Sequence, residues 1–200
     1  KLYKQKFGNN LRSSYANEDE FILTHISNFR KVKRVDHVIK IFNNVSKDHK
    51  CKLLMIGDGP ERLIAEQMCR TYGIIDKVKF LGKLKLIEKI LSFADVFILP
   101  SETESFGLVA LEAMASRTAV ISTNSGGLPE VNIDKKTGFL SNVGDVEKMS
   151  YDLSNLLSDR ELLDSIKENA YEHAKSFDLP KILPLYEDIY FRLLNNYNNG

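Results

Sequence analysis

Cysteine is scarce in this sequence: Cys51 and Cys69 are its two cysteines in 200 residues, and no C-x-x-C pair occurs. Zinc and dithiol redox chemistry therefore have no support, and both thiols read as reduced core or near-core residues of a cytoplasmic protein. A charge excess is missing too. Lys and Arg number 28 against 27 Asp and Glu, a net charge of +1, so there is no bulk electrostatic case for nucleic acid or an anionic membrane. No apolar run reaches the length of a membrane span. The start, K-L-Y-K-Q-K-F-G, lacks the apolar stretch of a signal peptide and also lacks Met, which suggests a piece of a longer chain. No G-K-[ST] or D-x-D occurs. His25, His37, His49 and His173 stand in unrelated contexts, without triad or metal-ligand spacing, and His25 reads as a core or near-core residue of a strand.

What remains is an apolar fraction of 43% and a charged fraction of 28%, the balance of a soluble globular protein with one sizeable α/β core. Apolar runs at 21–26, 53–56, 78–81, 96–99 and 119–122, with a shorter one at 137–140, predict strands. Helical spacing predicts helices at 35–45, 60–72, 86–93, 106–116, 146–157, 161–175 and 182–195. Pro60 is expected to open the second of these. Strands alternating with helices mean βαβ units, hence a Rossmann-like parallel sheet with helices on both faces. Ligands in such sheets bind beyond the carboxyl ends of the strands. Those ends carry Ser27-Asn28, Gly57-Asp58-Gly59, Gly82-Lys83, Pro100 to Ser105 and Thr123 to Gly127.

The most informative stretch is D-V-F-I-L-P-S-E-T-E-S-F-G-L-V-A-L-E-A-M-A, residues 95–115. A buried strand ends at Pro100, an acidic loop follows, and a helix begins near Phe106. From Phe106 to Ala115 that helix has one polar side chain, Glu112. A lone carboxylate on an apolar helix costs several kcal/mol to desolvate unless something partners it. Either a Lys or Arg elsewhere in the core or a ligand bearing hydroxyl donors meets that need. Glu104 lies at the mouth of the same turn, beside a helix N-terminus that favours anions. A ligand with both a phosphate and a diol, such as a nucleotide sugar, satisfies all three features.

Other motifs weigh less. Gly57-Asp58-Gly59-Pro60 follows a strand, but Arg62 occupies the sixth position of a would-be G-x-G-x-x-G, which argues against an NAD site. The basic run Arg30-Lys31-Val32-Lys33-Arg34 reads either as a solvated loop or as cations facing the Glu104 rim. Ser125-Gly126-Gly127-Leu128-Pro129-Glu130 reads as a loop with conformational freedom. It is also a weak candidate for a ligand contact.

Glu104 and Glu112, with seven residues and S-F-G-L between them, resemble the Glu-x7-Glu signature of the retaining family-four glycosyltransferases of the GT-B fold. The likeness runs from Phe21 to Leu157. S-N-F-R-K-V-K-R-V and F-G-L-V-A-L-E-A-M-A look closest to the family's bacillithiol-pathway branch. The resemblance implies UDP-N-acetylglucosamine as donor and a small acceptor such as L-malate; a capsule or cell-wall polysaccharide enzyme is the alternative. A non-catalytic nucleotide-binding α/β module is an alternative of another class.

Further expectations follow from the same resemblance. Residues 1–20 are a linker from an N-terminal acceptor domain, 21–178 the donor-binding domain, and 179–200 a C-terminal helix packing on this domain or that one. Lys33 and Glu104 are the implied catalytic residues: Lys33 neutralises the departing diphosphate and Glu104 meets the donor hexose. Glu112 accepts from the ribose diol, the N–H groups of Phe106, Gly107, Leu108 and Val109 cradle phosphate, and Ser105, Gly57 and Lys83 border the nucleotide. Asn28 stands where the family carries Arg, which raises Arg30 as the substitute charge. No metal or other cofactor is implied. Self-association is left open.

Overall fold

The structure, a computed structural model, describes residues 9–198. The start of the expected linker, residues 1–8, and the last two residues lie outside the described residues. In chain order the elements are α1 (Asn9–Arg12), β1 (Phe21–Ser27), α2 (Val35–Val45), β2 (Cys51–Gly57), α3 (Arg62–Thr71), β3 (Val78–Gly82), α4 (Glu88–Leu91), β4 (Val96–Leu99), α5 (Leu108–Ala115), β5 (Ala119–Thr123), α6 (Leu128–Val131), β6 (Gly138–Ser141), α7 (Val146–Ser158), α8 (Arg160–Ala174) and α9 (Leu179–Asn198).

The strands form one parallel sheet in the order β3-β2-β1-β4-β5-β6. Alternate residues of each strand enter opposite layers. Leu23, Leu53, Met55, Val96, Ile98 and Ile121 pack with α2, α3 and α7. Phe97, Leu99 and Val120 pack with α5, α6 and part of α8, while Ile22, Leu54 and Ile56 pack near α4. Burial of both faces explains why the strands read as continuous apolar runs. The strand order reverses direction between β1 and β4, so this pair is the topological switch point at which a crevice opens.

Local chemistry moves several boundaries from those expected. Pro60 does not open α3. The Glu61 N–H donates to Phe29 O (3.0 Å) and the Arg62 N–H to Gly59 O (3.1 Å), so these residues form a turn and the helix begins at Arg62. Helix α5 begins at Leu108 rather than Phe106, because Gly107 precedes it with φ +88°. A side chain there would be strained, and its Cβ would fall 2.7 Å from Leu128 Cδ2. Helix α6 was not expected, and α4 is shorter than expected.

Residues 9–20 are docked beneath the sheet. Arg12 donates to Glu20 O (2.5 Å) and Phe93 O (3.1 Å) and pairs with buried Asp95 (3.4 Å). Asp95 also accepts from the Ile22 N–H (2.9 Å) and Lys167 (3.1 Å), and Tyr15 stacks on Phe93 with centroids 5.8 Å apart. Helix α9 leaves Leu183, Ile189, Tyr190 and Phe191 exposed; the side chains of Tyr186 and Leu193 lie outside the described residues.

Candidate functional site

Strands β1 and β4 pair at Leu23–Val96 and Thr24–Phe97 and then diverge. Above that fork lies a cleft of about 500 Å³ lined by Ile26, Ser27, Asn28, Lys33, Ile87, residues 104–109 and Glu112. The loops after β1 and β4 and the start of α5 supply most of it, and Ile87 before α4 adds an apolar edge.

The loop after β1 turns sharply at Phe29, a buried residue with φ +42°, and reaches α2 through a 3-10 turn at Lys31–Lys33. Gly57, at the end of β2, lets this turn approach: a Cβ there would fall 1.7 Å from Ser27 O. The loop after β4 is clamped from both sides. The Glu102 N–H donates to Val32 O (2.8 Å), and Arg34 pairs with Glu102 (2.9 Å) and Asp36 (3.1 Å). On the other side Thr123 Oγ1 donates to Ser101 O (2.7 Å), Ser125 Oγ to Glu102 O (2.6 Å) and the Gly127 N–H to Glu104 O (3.1 Å). The Gly-rich segment after β5 thus supports Glu104 through its backbone; it does not line the cleft.

These clamps bring Glu104 and Lys33 together across the switch point. Lys33 Nζ lies 2.5 Å from Glu104 Oε1, with both side chains largely covered, and Ser101 Oγ donates to the same oxygen (3.0 Å). Beside this pair α5 points its N-terminus at the cleft. The first turn of a helix leaves N–H groups without intrahelical partners, here those of Leu108 and Val109, and carries partial positive charge.

Glu112 stands one turn further along α5, half-buried on the cleft wall. Among the described residues it has no cationic partner. Its carboxyl is held above the ordinary range, first by burial and then by the nearby charge of Glu88. The cleft therefore combines a covered Lys–Glu pair, the first-turn N–H groups of α5 and a half-buried carboxylate. Together these offer anion binding beside strong hydrogen-bond acceptors.

Of the residues expected from sequence, Asn28, Lys33, Glu104, Ser105, Phe106, Gly107, Leu108, Val109 and Glu112 converge on this cleft. Arg30 is exposed and outside its lining, its side chain without a partner among the described residues. Gly57 lies beneath the loop as a packing residue, and Lys83 is exposed two strands away from β1. Ile26, Ser27 and Ile87 line the cleft without having been singled out as site residues. For Ser27, the position at the end of the strand beside the switch point was the available signal. Among the described residues no cluster of three or more His, Cys, Asp or Glu is placed to hold a metal ion. Nor is any helix among them long and apolar enough to cross a membrane.

The strand order and the position of the cleft define a Rossmann-like domain, and its structural neighbours are glycosyltransferases of the GT-B fold. The chain belongs to the glycosyl transferases group 1 family, which it matches over residues 7–173. It is 41% identical over 202 residues to N-acetyl-alpha-D-glucosaminyl L-malate synthase of Bacillus anthracis, a match covering 100% of this chain and 53% of that protein. The chain thus spans about half the length of that relative. The Anabaena protein HepE, solved with UDP and glucose, superposes with a TM-score of 0.82 at 22% identity, over 93% of this chain and 51% of that one. The C-terminal domain of the Francisella tularensis group 1 glycosyl transferase LpcC superposes with a TM-score of 0.77 at 24% identity, over 88% of this chain and 94% of that domain.

Proposed function

We propose that this chain is the donor-binding half of a cytoplasmic retaining glycosyltransferase. It takes UDP-N-acetylglucosamine and, with an N-terminal acceptor domain, passes the sugar to a small acceptor such as L-malate. The observation that carries this reading is Glu112: a half-buried carboxylate on the cleft wall, with no cation to meet it among the described residues, beside a Lys–Glu pair and a helix N-terminus. A ribose diol supplies hydroxyl donors to Glu112. The α5 N–H groups and Lys33 receive the diphosphate, and Glu104, released from Lys33 as phosphate takes its place, accepts from hydroxyls of the hexose. Developing charge on the leaving diphosphate is met by a lysine and backbone dipoles, without a metal. The identity to the Bacillus anthracis enzyme supports the choice of donor and acceptor.

A thermal-shift screen of the chain against UDP, GDP, ADP and their sugars tests this. Stabilisation grows with the ratio of ligand to dissociation constant, so even a weak site registers at millimolar ligand. Selective stabilisation by UDP and UDP-N-acetylglucosamine is expected. No shift with any nucleotide would remove the proposal.

A further inference from the structure

We infer that His25 is a positioning residue for the cleft. It joins β4 to the loop after β1 at the point where the two strands part, and through Ser27 it holds that loop in ligand-receiving shape. The inference rests on the nucleotide-sugar reading above.

The backbone ladder between β1 and β4 stops at Thr24–Phe97. One residue further on, the side chain of His25 takes over. Its ring is fully buried, stacked near Phe97 (6.5 Å, 8° between planes) and Phe29 (6.1 Å, 26°). Nδ1 lies 2.9 Å from Ile98 O and Nε2 lies 2.8 Å from Ser27 Oγ.

These contacts fix every proton. A carbonyl oxygen only accepts, so Nδ1 carries the hydrogen. Nε2 of the neutral ring then only accepts, so the Ser27 hydroxyl donates to it. The remaining capacity of Ser27 Oγ accepts the Phe29 N–H at 3.2 Å. Burial drives the His25 pKa down to about 4, with the Lys33 charge acting in the same direction against the Ile98 carbonyl and Glu104. The ring therefore stays neutral, in one tautomer, at physiological pH.

The chain of bonds ends on the strained residue of the loop. Phe29 has positive φ without being glycine, a conformation that persists only where its surroundings impose it. Ser27 holds its N–H, Glu61 donates to its carbonyl (3.0 Å), and the core buries its ring. Asn28, which lines the cleft, sits inside that turn, and Lys33 is four residues beyond it. Loss of the His25–Ser27 link frees the turn while leaving the strand core in place.

Calorimetric titration of UDP into the full chain tests this, with melting temperature recorded in parallel. The variants are His25→Asn, His25→Gln, Ser27→Ala and the His25→Asn, Ser27→Ala pair. Asn reaches the Nδ1 position and keeps the bond to Ile98 but cannot reach Ser27; Gln reaches the Nε2 position.

His25→Asn and Ser27→Ala should each weaken UDP binding by about 5- to 20-fold, the scale of one lost hydrogen bond and its consequences. The paired variant should be no weaker than either single one, and His25→Gln should recover most of the affinity. A His25→Asn that melts earlier but binds UDP within about twofold of wild type makes His25 merely structural, as does simple multiplication of the two single effects. Should His25→Asn fail to fold, Ser27→Ala with unchanged affinity overturns the inference alone. Wild-type chain that fails to bind UDP at millimolar concentration removes the functional reading and this inference with it.

Discussion

Glu112 carries a charge where burial resists one, and its titration follows from that. Its carboxyl is raised by burial and by Glu88, so the unfolded chain ionises this group more readily than the folded chain does. Its contribution to stability is greatest in acid. It is lost as pH rises through the ordinary carboxylate range, and the penalty is complete above the folded-state pKa. Glu112→Gln removes that loss. Urea unfolding between about pH 4 and about pH 8 should show the variant gaining on wild type as pH rises, with the two converging in acid. Lys33 and Arg30 separate in a different way. Lys33 lines the cleft and Arg30 does not. Lys33→Ala should weaken UDP binding by about 1.5–3 kcal/mol, the range for a hydrogen bond to a charged group, and Arg30→Ala by much less. Glu112 was legible because an acid inside an apolar helix is anomalous in any sequence. Lys33 was legible through the family resemblance; the residues alone did not choose between it and Arg30, because spacing along a loop does not reveal which way a positive-φ turn sends the next side chains.

Among the elements, α5 contributes most to the site through its first turn, and Gly107 sets where that turn begins. Gly107→Ala forces a side chain into φ +88° and against Leu128. Its cost is about 1–3 kcal/mol of stability, with weaker UDP binding because the N–H groups of Leu108 and Val109 shift. Asp145→Ala is the contrast. Asp145 caps α7 by accepting the Lys148 N–H (3.0 Å), away from the cleft lining. Chemical denaturation should show a loss of about 1 kcal/mol, with UDP affinity unchanged. The strands and long helices were readable because their burial is two-sided or striped, and apolar spacing records both. The starts of α3 and α5 were not, because they depend on a carbonyl from another loop in one case and on a left-handed glycine in the other.

Across the whole molecule, the order β3-β2-β1-β4-β5-β6 brings residues from positions 26 to 112 to one crevice. The opposite end of the sheet is tied by Asp95, which gathers the Ile22 N–H, Lys167 and Arg12. Composition and alternation of elements were enough to read a parallel sheet. The docking of residues 9–20 was not readable, since Arg12 and Tyr15 look like ordinary linker residues until Asp95 and Phe93 are beside them. Asp95→Ala, which strands two cations, should cost roughly 3–5 kcal/mol in unfolding experiments. Because it acts at the far end of the strands, folded Asp95→Ala protein should bind UDP as wild type does.

The most direct test of the account is a calorimetric titration of UDP-N-acetylglucosamine into the wild-type chain and into Glu112→Gln. Saturable binding by wild type, weakened roughly 10-fold or more in the variant, is the predicted result. Equal affinity in the two proteins, or no binding in either, would contradict the assignment of Glu112 to the donor's ribose.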